Sequence, residues 1–362
     1  MATLPHAHPA GQKKKRIIRR IAPGRFQRAR HMVQYAFAAL NLWLGLQFYL
    51  WVRFYEHSGQ GFAVSRPAGA EGWLPIAGLM NFKVFLLTGH VPAIHPAAMF
   101  LFMAFLAISL LVKKSFCSWL CPIGTLSEHL ARLGRALFGR TFRLPRWLDI
   151  PLRGLKYLLL AFFLVLIGGM STAMLTAFMQ TPYGIIADVK MLNFFRHMGL
   201  TAMVIVAVLV LLSLVVENLW CRYLCPYGAL MGLASFLSPL KVRRTPALCI
   251  DCAKCARACP AGLAVDKLVQ IRSVECTACM ACVATCPAEG ALRFSLPGVP
   301  TANAPRYRRA VTPLAFVGLL AFLFFGFVLV ARATSHWQTP IPPAVYQRLI
   351  PNAGQASHPG ME

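Results

Sequence analysis

The 362-residue sequence has few charged side chains, and very few of them are acidic. Charged residues make up 13% of the chain, against roughly a quarter of an average soluble domain. Eleven Asp and Glu stand against 37 Lys and Arg, while apolar residues account for 57%. This apolar share excludes intrinsic disorder. A soluble nucleic-acid-binding protein would explain the positive charge but not the long apolar runs, so no nucleic-acid partner is expected and a membrane protein is favoured.

Two further absences narrow the function. Twelve Cys in the whole chain are too few for a disulfide-rich secreted scaffold, in which Cys exceeds roughly 8–10%. The sequence also contains no P-loop, no dinucleotide-binding glycine motif and no evident Ser-His-Asp constellation. It therefore singles out no catalytic residue, and metal or redox chemistry at the cysteines becomes the main interpretation.

A helix that crosses a bilayer needs about 17–25 mostly apolar residues. Five apolar stretches meet this requirement, the shortest with the help of flanking Lys side chains that reach along the helix to the interface. They are residues 33–52, 97–112, 157–178, 199–216 and 311–331. A sixth stretch, 72–88, is interrupted by Pro75 and carries Lys83, so we expect it to lie on the membrane surface or to re-enter. The predicted fold class is an α-helical polytopic membrane protein with about five transmembrane helices.

Basic residues are concentrated in alternate segments between these stretches. Thirty of the 37 Lys and Arg lie in residues 1–32, 113–156 and 217–310. The positive-inside rule places these three segments in the cytoplasm. We therefore predict a multi-pass protein of the bacterial inner membrane, with its N-terminus in the cytoplasm and its C-terminus in the periplasm.

Eight cysteines form two runs of identical spacing, C-x2-C-x2-C-x3-C-P. In bacterial two-cluster ferredoxins, the first three Cys of such a run bind one [4Fe–4S] cluster and the fourth binds the other. The first cluster is thus predicted on Cys249, Cys252, Cys255 and Cys286. The second is predicted on Cys276, Cys279, Cys282 and Cys259. A structural zinc site is the alternative, but it usually takes only four ligands, so the double pattern favours iron and sulfur.

The other four cysteines form a second repeat at the expected cytoplasmic ends of two spans. Cys117 and Cys121, like Cys221 and Cys225, stand in the pattern Cys-x-aromatic-Leu-Cys-Pro-x-Gly, here called the CxxxCP motif. Cys at i and i+4 lie on one face of a continuing helix, which the Pro then ends or kinks. Four thiolates brought together could hold a third iron–sulfur cluster or another soft metal. They could also form a redox-active dithiol pair or simply pack as small buried side chains.

Candidate polar residues on the expected outer side are few. His90, His95 and His197 lie near span ends and could ligate haem or contact a quinol headgroup. A lone His at an interface more often only satisfies local hydrogen bonds. Asp188 and Lys190 share an outer loop and are candidates for accepting protons from a quinol.

These motifs together resemble the membrane-bound polyferredoxin family, which includes the quinol dehydrogenase membrane subunit of periplasmic nitrate reductase and the membrane regulator of nitrous oxide reduction. The resemblance rests on CSWLCPIGTLSE, LPRWLDIPLRGLKYLLL, DVKMLNFFRHMG, CRYLCPYGALMG and the two ferredoxin runs, and it covers most of residues 30–350. It implies electron transfer between membrane quinol and a redox partner protein through cytoplasmic clusters. The outer loops are too short for the flavin-binding domain of the regulator type.

The expected organisation has five parts. They are a basic cytoplasmic arm (1–32), a four-span membrane domain with both CxxxCP motifs (33–240), an inserted α+β two-cluster ferredoxin domain (241–297), a linker with the fifth transmembrane helix (298–331) and an extracytoplasmic tail (332–362). The predicted function is an electron-transfer subunit, of quinol dehydrogenase type, that relays electrons between quinol and a redox partner. The alternatives are a metal reductase or maturation factor for a respiratory oxidoreductase that uses the CxxxCP cysteines, and a redox-sensing membrane regulator.

Overall fold

The computed structural model of the protein describes residues 24–139, 142, 144–297 and 310–358. Most of the predicted basic arm, most of the predicted linker and the last four residues of the predicted tail lie outside these ranges. The described α-helices are α1 (Arg25–Glu56), α2 (Pro75–Thr88), α3 (Pro96–Val112), α4 (Phe116–Trp119), α5 (Pro122–Phe138), α6 (Arg146–Gly169), α7 (Thr172–Gln180), α8 (Pro182–Ile185), α9 (Ala187–Arg196), α10 (Leu200–Val215), α11 (Pro226–Ala234), α12 (Lys254–Arg257), α13 (Ala281–Thr285), α14 (Pro313–Ala333) and α15 (Pro343–Leu349). Two strands, β1 (Lys241–Arg244) and β2 (Leu292–Ser295), complete the regular structure.

Three or four candidate membrane spans occur among the described residues, where the sequence predicted five. Helices α1 and α14 and most of α6 are long and apolar enough to cross a membrane, and α9 with α10 makes a fourth if this pair, bent by 80°, is one broken span. The remaining predicted span, residues 97–112, forms α3, which has only 17 residues. Length and composition therefore support a membrane protein but leave the count of five as a prediction.

Helix α3 lies at the centre of the bundle. Twelve of its 17 residues are buried, and it packs against α2, α11 and α14. In contrast, α6 and α10 leave large apolar side chains such as Leu158, Val165 and Leu200 exposed, which is typical of surfaces that face lipid. A helix surrounded by protein need not match the thickness of the hydrocarbon layer, so the shortness of α3 fits its central place.

Residues 72–88, expected to lie on the membrane surface or to re-enter, pack within the bundle. Ala77, Met80 and Val84 of α2 share a buried core with Ala98 of α3. A Cβ atom on Gly78 would lie 2.8 Å from the carbonyl oxygen of Ala98, so only glycine permits this close approach of the two helices. This packing against α3 is compatible with a re-entrant element, the second of the two arrangements expected for this stretch, and the choice between them stays a prediction.

The predicted span 157–178 is divided between two helices. Helix α6 ends at Gly169, Met170 is extended, and Ser171 caps α7 through its side chain. The ammonium group of Lys83 donates hydrogen bonds of 2.6–2.9 Å to three carbonyl groups at this break, those of Ile167, Gly168 and Met170. A cation at a helix C-terminus satisfies carbonyl groups that have no partner within the helix, so the charge that interrupts the apolar stretch 72–88 has a structural role.

The segment with the ferredoxin runs is bracketed by the two strands. Strands β1 and β2 pair antiparallel, with Val242 opposite Phe294. These two side chains belong to the same buried cluster as Ile108 of α3 and Phe316 of α14, and the rings of Phe294 and Phe316 meet edge to face. The apolar core of the segment is thus continuous with that of the helical bundle, which fixes the segment against the ends of the helices.

Candidate iron–sulfur sites

The two ferredoxin runs have the same backbone geometry. Asp251 and Ala253 in the first run have positive φ angles of 52° and 54°, and the corresponding Ala278 and Met280 in the second have 49° and 58°. Left-handed residues next to right-handed ones turn successive N–H groups toward one point, which forms a concave site for an anion. Both loops are therefore shaped to surround a negatively charged group.

Four cysteines from both runs form the first group of thiols, Cys249, Cys252, Cys255 and Cys286. Burial raises the pKa of Cys286, and the nearby Cys252 and Cys249 raise it further. Burial likewise raises the pKa of Cys255, with Cys286 and Cys249 among the neighbouring groups that add to it, while the N–H of Ala256 opposes the shift. The fourth Cys of the second run thus lies beside the first run.

The second group mirrors the first and consists of Cys259, Cys276, Cys279 and Cys282. Burial raises the pKa of Cys282 well above its usual value, and Cys279, Cys276 and Cys259 raise it further. The N–H groups of Ala278 and Ala281 point at the sulfurs of Cys276 and Cys279. Cys259 of the first run is thus a neighbour of cysteines of the second run, as Cys286 is of the first, and the two sets of ligands stay a prediction.

Each CxxxCP motif interrupts its helix before the second Cys, so the expected continuing helix is not formed. The N–H groups of Cys121 and Cys225 donate to the carbonyl groups five residues before them, those of Phe116 and Trp220, at 2.9 and 3.0 Å. This wider turn is of the π type, which is frequent at functional sites. The Pro that follows begins the next helix, α5 or α11, because Pro suits the first position of a helix and not its interior.

The second Cys of each motif caps the helix that follows it. The N–H of Gly228 donates to Sγ of Cys225 at 3.2 Å, and the N–H groups of Gly124 and Ile123 point at Cys121. These free N–H groups carry the positive end of a helix dipole. Both sulfurs therefore lie where a negative charge is favoured.

The four CxxxCP cysteines converge although about one hundred residues separate the two motifs. Burial raises the pKa of Cys221 far above its usual value, and Cys121, Cys225 and Cys117 raise it further. Burial also raises the pKa of Cys117 to about 12, with Cys121 and Cys225 among the groups that contribute. The two copies of the repeat thus bring their four thiols near one another.

The CxxxCP site is hydrogen-bonded directly to a ferredoxin loop. The hydroxyl of Ser118 donates to the carbonyl of Thr277 at 2.6 Å, and Nε1 of the fully buried Trp119 donates to the carbonyl of Ala278 at 3.0 Å. Thr277 and Ala278 stand between two cysteines of the second group. Two interatomic contacts thus connect the thiol sites, a link that the sequence did not predict although Ser118 and Trp119 lie inside the motif.

A cavity of about 1550 Å³ reaches the CxxxCP cysteines. All four of these cysteines line it, as do Leu160 and Phe163 of α6, and Arg66 and Gln47 line it as well. Sites for small molecules typically measure roughly 300–1,000 Å³, so this mainly apolar space can take a large hydrophobic ligand.

A cluster of buried ionisable side chains, here called the outer charged cluster, contains Arg66, Glu71, His95 and Asp188. Arg66 donates to Glu71 at 2.8 Å and to Asp188 at 2.6 Å. Nδ1 of His95 lies 3.2 Å from the Glu71 carboxylate, and Nε2 lies 2.9 Å from the carbonyl of Gly184. Burial alone would raise the pKa of Glu71, but the charges of Arg66 and His95 outweigh it and lower that pKa to about 2.

The outer charged cluster shows which of the two roles considered for His95 the structure supports, and where Asp188 lies. His95 has a hydrogen-bonding neighbour at each ring nitrogen, so it satisfies local hydrogen bonds and has no free nitrogen for haem. His90 and His197 are exposed. Asp188 belongs to the cluster, as does Glu71, which the sequence did not single out and whose side chain is fully buried.

At the other end of the bundle, ion pairs join the ferredoxin segment and the membrane helices. Nζ of Lys156 donates to both carboxylate oxygens of Glu275 at 2.7 Å. Lys113 donates to the carbonyl groups of Arg272 and Ser273 at 3.3 and 3.1 Å. These contacts hold the Cys276 loop against α6 and the C-terminal end of α3.

Within the described ranges, no three His, Cys, Asp or Glu side chains form a group that could hold a single metal ion. All twelve cysteines are free thiols.

Family comparisons agree with these groupings. Residues 241–287 match the 4Fe-4S dicluster domain. Residues 94–142 and 198–245 each match the 4Fe-4S binding domain. These two matches contain one CxxxCP motif each, so the internal repeat found in the sequence is one family unit present twice.

Three relatives extend the comparison. The chain is 51% identical to the "Putative electron transport protein YccM" of Escherichia coli (strain K12) over 329 residues, 91% of each chain. It is 30% identical to protein NirI of Paracoccus denitrificans over 66% of this chain and 35% of NirI. It is 31% identical to the ferredoxin-type protein NapH of Escherichia coli over 48% of this chain and 57% of NapH. No solved structure matches the chain significantly.

Proposed function

Because the chain belongs to the family of YccM, an iron–sulfur electron transport family related to NapH and NirI, we propose that it relays electrons between membrane quinol and a redox partner protein. One observation carries the proposal. The CxxxCP cysteines lie on the wall of a large apolar cavity, and their loop is hydrogen-bonded to the loop of the second ferredoxin group. A hydrophobic electron carrier and the ferredoxin segment would thus share one chain of contacts.

The eight ferredoxin cysteines would hold two [4Fe–4S] clusters in the sets described above. Bound clusters supply one-electron transfer at potentials set by charge and by hydrogen bonds to sulfur. The protein contributes the concave loops with their left-handed residues and the N–H groups of Ala256, Ala278 and Ala281. These groups fit an anionic cluster and would partly offset the cost of burying it.

The CxxxCP cysteines, Cys117, Cys121, Cys221 and Cys225, would hold a third iron–sulfur cluster. Their convergence, the two helix N-termini at Cys121 and Cys225 and the match of each motif to a 4Fe-4S binding domain support this assignment. Another soft metal at the same thiols would instead favour a metal reductase or maturation factor.

The cavity would hold the quinol. Its oxidation to quinone releases two electrons and two protons, so the electrons would pass singly to the CxxxCP site and onward to the partner, and the protons would pass to water. Reversal of every step gives quinone reduction. Leu160, Phe163 and their neighbours exclude water from the carrier and orient its ring toward the thiols.

Five crossings of the inner membrane complete the proposal, with the N-terminus and ferredoxin segment cytoplasmic and the C-terminus periplasmic. Contacts between loops support it. Glu71, Asp188 and Thr339 meet around Arg66 from the three segments expected outside. Contacts such as Ser118 to Thr277 join segments expected inside.

Iron and acid-labile sulfide analysis with low-temperature EPR, on anaerobically purified protein, tests the cluster assignment. We expect about twelve irons in the unmodified protein and about eight in Cys117→Ser/Cys221→Ser, since each [4Fe–4S] cluster contains four. Cys252→Ser is the reciprocal control, in which the CxxxCP signal persists. Eight irons in the unmodified protein would exclude the third cluster, and a different metal there would favour the maturation factor.

Anaerobic bleaching of the cluster absorbance by a short-chain quinol tests the electron relay. Leu160→Trp should slow it strongly, because Leu160 is 5% exposed and lines the cavity. Leu164→Trp is the matched control one turn along α6, where the side chain is 41% exposed and lies outside the cavity lining. Failure of any quinol to exchange electrons with the unmodified, fully loaded protein would refute the quinol proposal.

A further inference from the structure

Lys114 is a buried cation between the CxxxCP site and the second ferredoxin group. Its side chain belongs to the wall of a cavity of about 430 Å³, which is also lined by Cys117, Cys221 and Cys279. Only 3% of Lys114 is exposed. Neither the electron relay nor the cluster ligation described above uses this residue.

Lys114 differs from the other cations of this cavity. Among the described residues, each other Lys or Arg in the cavity wall has a hydrogen-bond partner: Arg30 and Arg132 contact Glu128, Arg135 contacts Glu217, Arg153 and Arg222 contact Asp149, and Arg257 contacts the carbonyl of Cys252. Lys114 has no hydrogen-bond or ion-pair partner in that part of the chain. The nearby Glu275 is engaged by Lys156 and Tyr157.

Three thiols and one carboxylate surround the Lys114 ammonium group. A Cβ atom on Gly228 would lie 3.5 Å from Nζ of Lys114 and equally far from Sγ of Cys225, so the missing side chain at Gly228 leaves room for the ammonium group beside that cysteine. Burial lowers the pKa of Lys114, but Cys117, Glu275, Cys225 and Cys221 outweigh burial and raise it. The ammonium group is therefore stabilised chiefly if these sulfurs carry negative charge.

An unpaired buried cation is costly unless an opposite charge lies close by. Four protonated thiols would leave Lys114 with only the Glu275 carboxylate, which Lys156 also engages, as a nearby opposite charge, whereas four thiolates around iron and sulfur carry net negative charge. Adding an electron makes that site more negative, so a nearby cation stabilises the reduced form more than the oxidised form.

We propose that Lys114 raises the reduction potential of the iron–sulfur group held by Cys117, Cys121, Cys221 and Cys225, and so sets the direction in which electrons pass between this site and the second ferredoxin group. The inference rests on the proposed third cluster. Lys114 acts through its charge, so it is a tuning residue and not a ligand.

Anaerobic redox titration followed by EPR tests the role of Lys114 in four proteins. They are the unmodified protein, Lys114→Met, Lys114→Arg and the control Lys190→Met in α9 at the opposite end of the bundle. We expect Lys114→Met to lower the potential of the CxxxCP signal by at least 59 mV, a tenfold change in the ratio of reduced to oxidised centres for one electron. Lys114→Arg and Lys190→Met should leave that potential nearly unchanged, and Lys114→Met should shift the ferredoxin signals less.

Iron content makes every outcome decisive. Full iron in Lys114→Met with an unshifted potential overturns the inference. Loss of the CxxxCP iron in Lys114→Met but not in Lys114→Arg supports the need for charge, whereas loss in both assigns Lys114 a packing role and overturns it. About eight irons in the unmodified protein would refute the third cluster itself, and the inference with it, so the two failures are distinguishable.

Discussion

The two ends of the helical bundle bury charge in opposite ways. All twelve cysteines lie at one end, here called the cysteine end, where buried cations such as Lys113 and Lys114 face carbonyl groups and thiols. The outer charged cluster at the other end contains no cysteine, and Arg66 and His95 face Glu71 and Asp188 there. The outer cluster thus contains its own counter-charges, whereas the cysteine end combines ion pairs, such as that of Lys156 and Glu275, with buried cations that face carbonyl groups and thiols.

We expect the largest loss of stability when the ion pair between Lys156 and Glu275 is broken. Glu275→Gln leaves the ammonium of Lys156, which is 0% exposed, buried without its counter-ion. Removing one partner of a buried pair typically costs about 3–5 kcal/mol. Thermal unfolding followed by cluster absorbance should therefore begin at a markedly lower temperature.

Glu217→Gln is the control for this prediction, because its partner Arg135 is 40% exposed, against 0% for Lys156, and ion pairs that water reaches contribute only about 0–1 kcal/mol. Equal effects of the two variants would contradict the view that ion pairs dock the ferredoxin segment at the cysteine end.

Glu71→Gln tests the self-balanced cluster at the other end. The variant weakens hydrogen bonds to charged partners, each worth about 1.5–3 kcal/mol, so the protection of residues 66–98 against hydrogen exchange should fall. The pKa of Glu71 is lowered from 4.5 to about 2. Its stabilising contribution is therefore complete above pH 4.5 and disappears as the pH falls toward 2, and the Gln variant should lack this acid-dependent loss.

A local readout is needed for Glu71 because acid also attacks iron–sulfur clusters. The same protection measured in residues 241–297 serves as the internal control and should not change in Glu71→Gln. If protection falls equally at both ends, the outer charged cluster is not an independent unit.

Short-range patterns in the sequence identified the iron–sulfur motifs of the cysteine end. The C-x2-C-x2-C-x3-C spacing specifies which cysteines can be neighbours, and the duplicated CxxxCP motif indicates that its two copies meet. The last predicted span, 311–331, agrees with α14 to within two residues at each end, because a continuous apolar run is a local property. The match of both CxxxCP motifs to the 4Fe-4S binding domain likewise depends on a local sequence pattern.

The sequence did not predict contacts between residues that are far apart along the chain. The outer charged cluster unites Arg66, Asp188 and Thr339, and no periodicity connects residues so far apart. Helix α3 is short because protein surrounds it, which composition does not reveal. A lone cation in an apolar segment needs hydrogen-bond acceptors, so Lys83 already indicated a polar contact. Only the structure identifies the acceptors as the carbonyl groups at the end of α6.

Loss of the hydrogen bond between Ser118 and Thr277 should have a smaller effect, which we expect on electron transfer between the two thiol sites. Ser118→Ala removes a link between the two thiol sites that is worth about 0.5–1.5 kcal/mol. Transfer of electrons from the CxxxCP site to the ferredoxin clusters should slow measurably in stopped-flow absorbance. Ser213→Ala is the control, because that hydroxyl donates within its own helix to Leu209. A larger effect of Ser213→Ala on transfer would contradict a route through Ser118.

The smallest effect is expected at the ion pair between Glu56 and Arg196. Arg196 donates to Glu56 at 2.7 Å, much as Arg66 donates to Glu71 at 2.8 Å, but the side chains of Arg196 and Glu56 are 24% and 22% exposed. Water already stabilises both charges, so Glu56→Gln should change stability by only about 0–1 kcal/mol, and added salt should reduce even this difference. Glu56→Gln and Glu71→Gln are the same substitution, and the two carboxylates lie at similar distances from their arginines. The ratio of the two losses of stability therefore measures the effect of burial. A loss as large as that of Glu71→Gln would show that the outer end depends on charge pairing at its surface and not on the enclosed cluster.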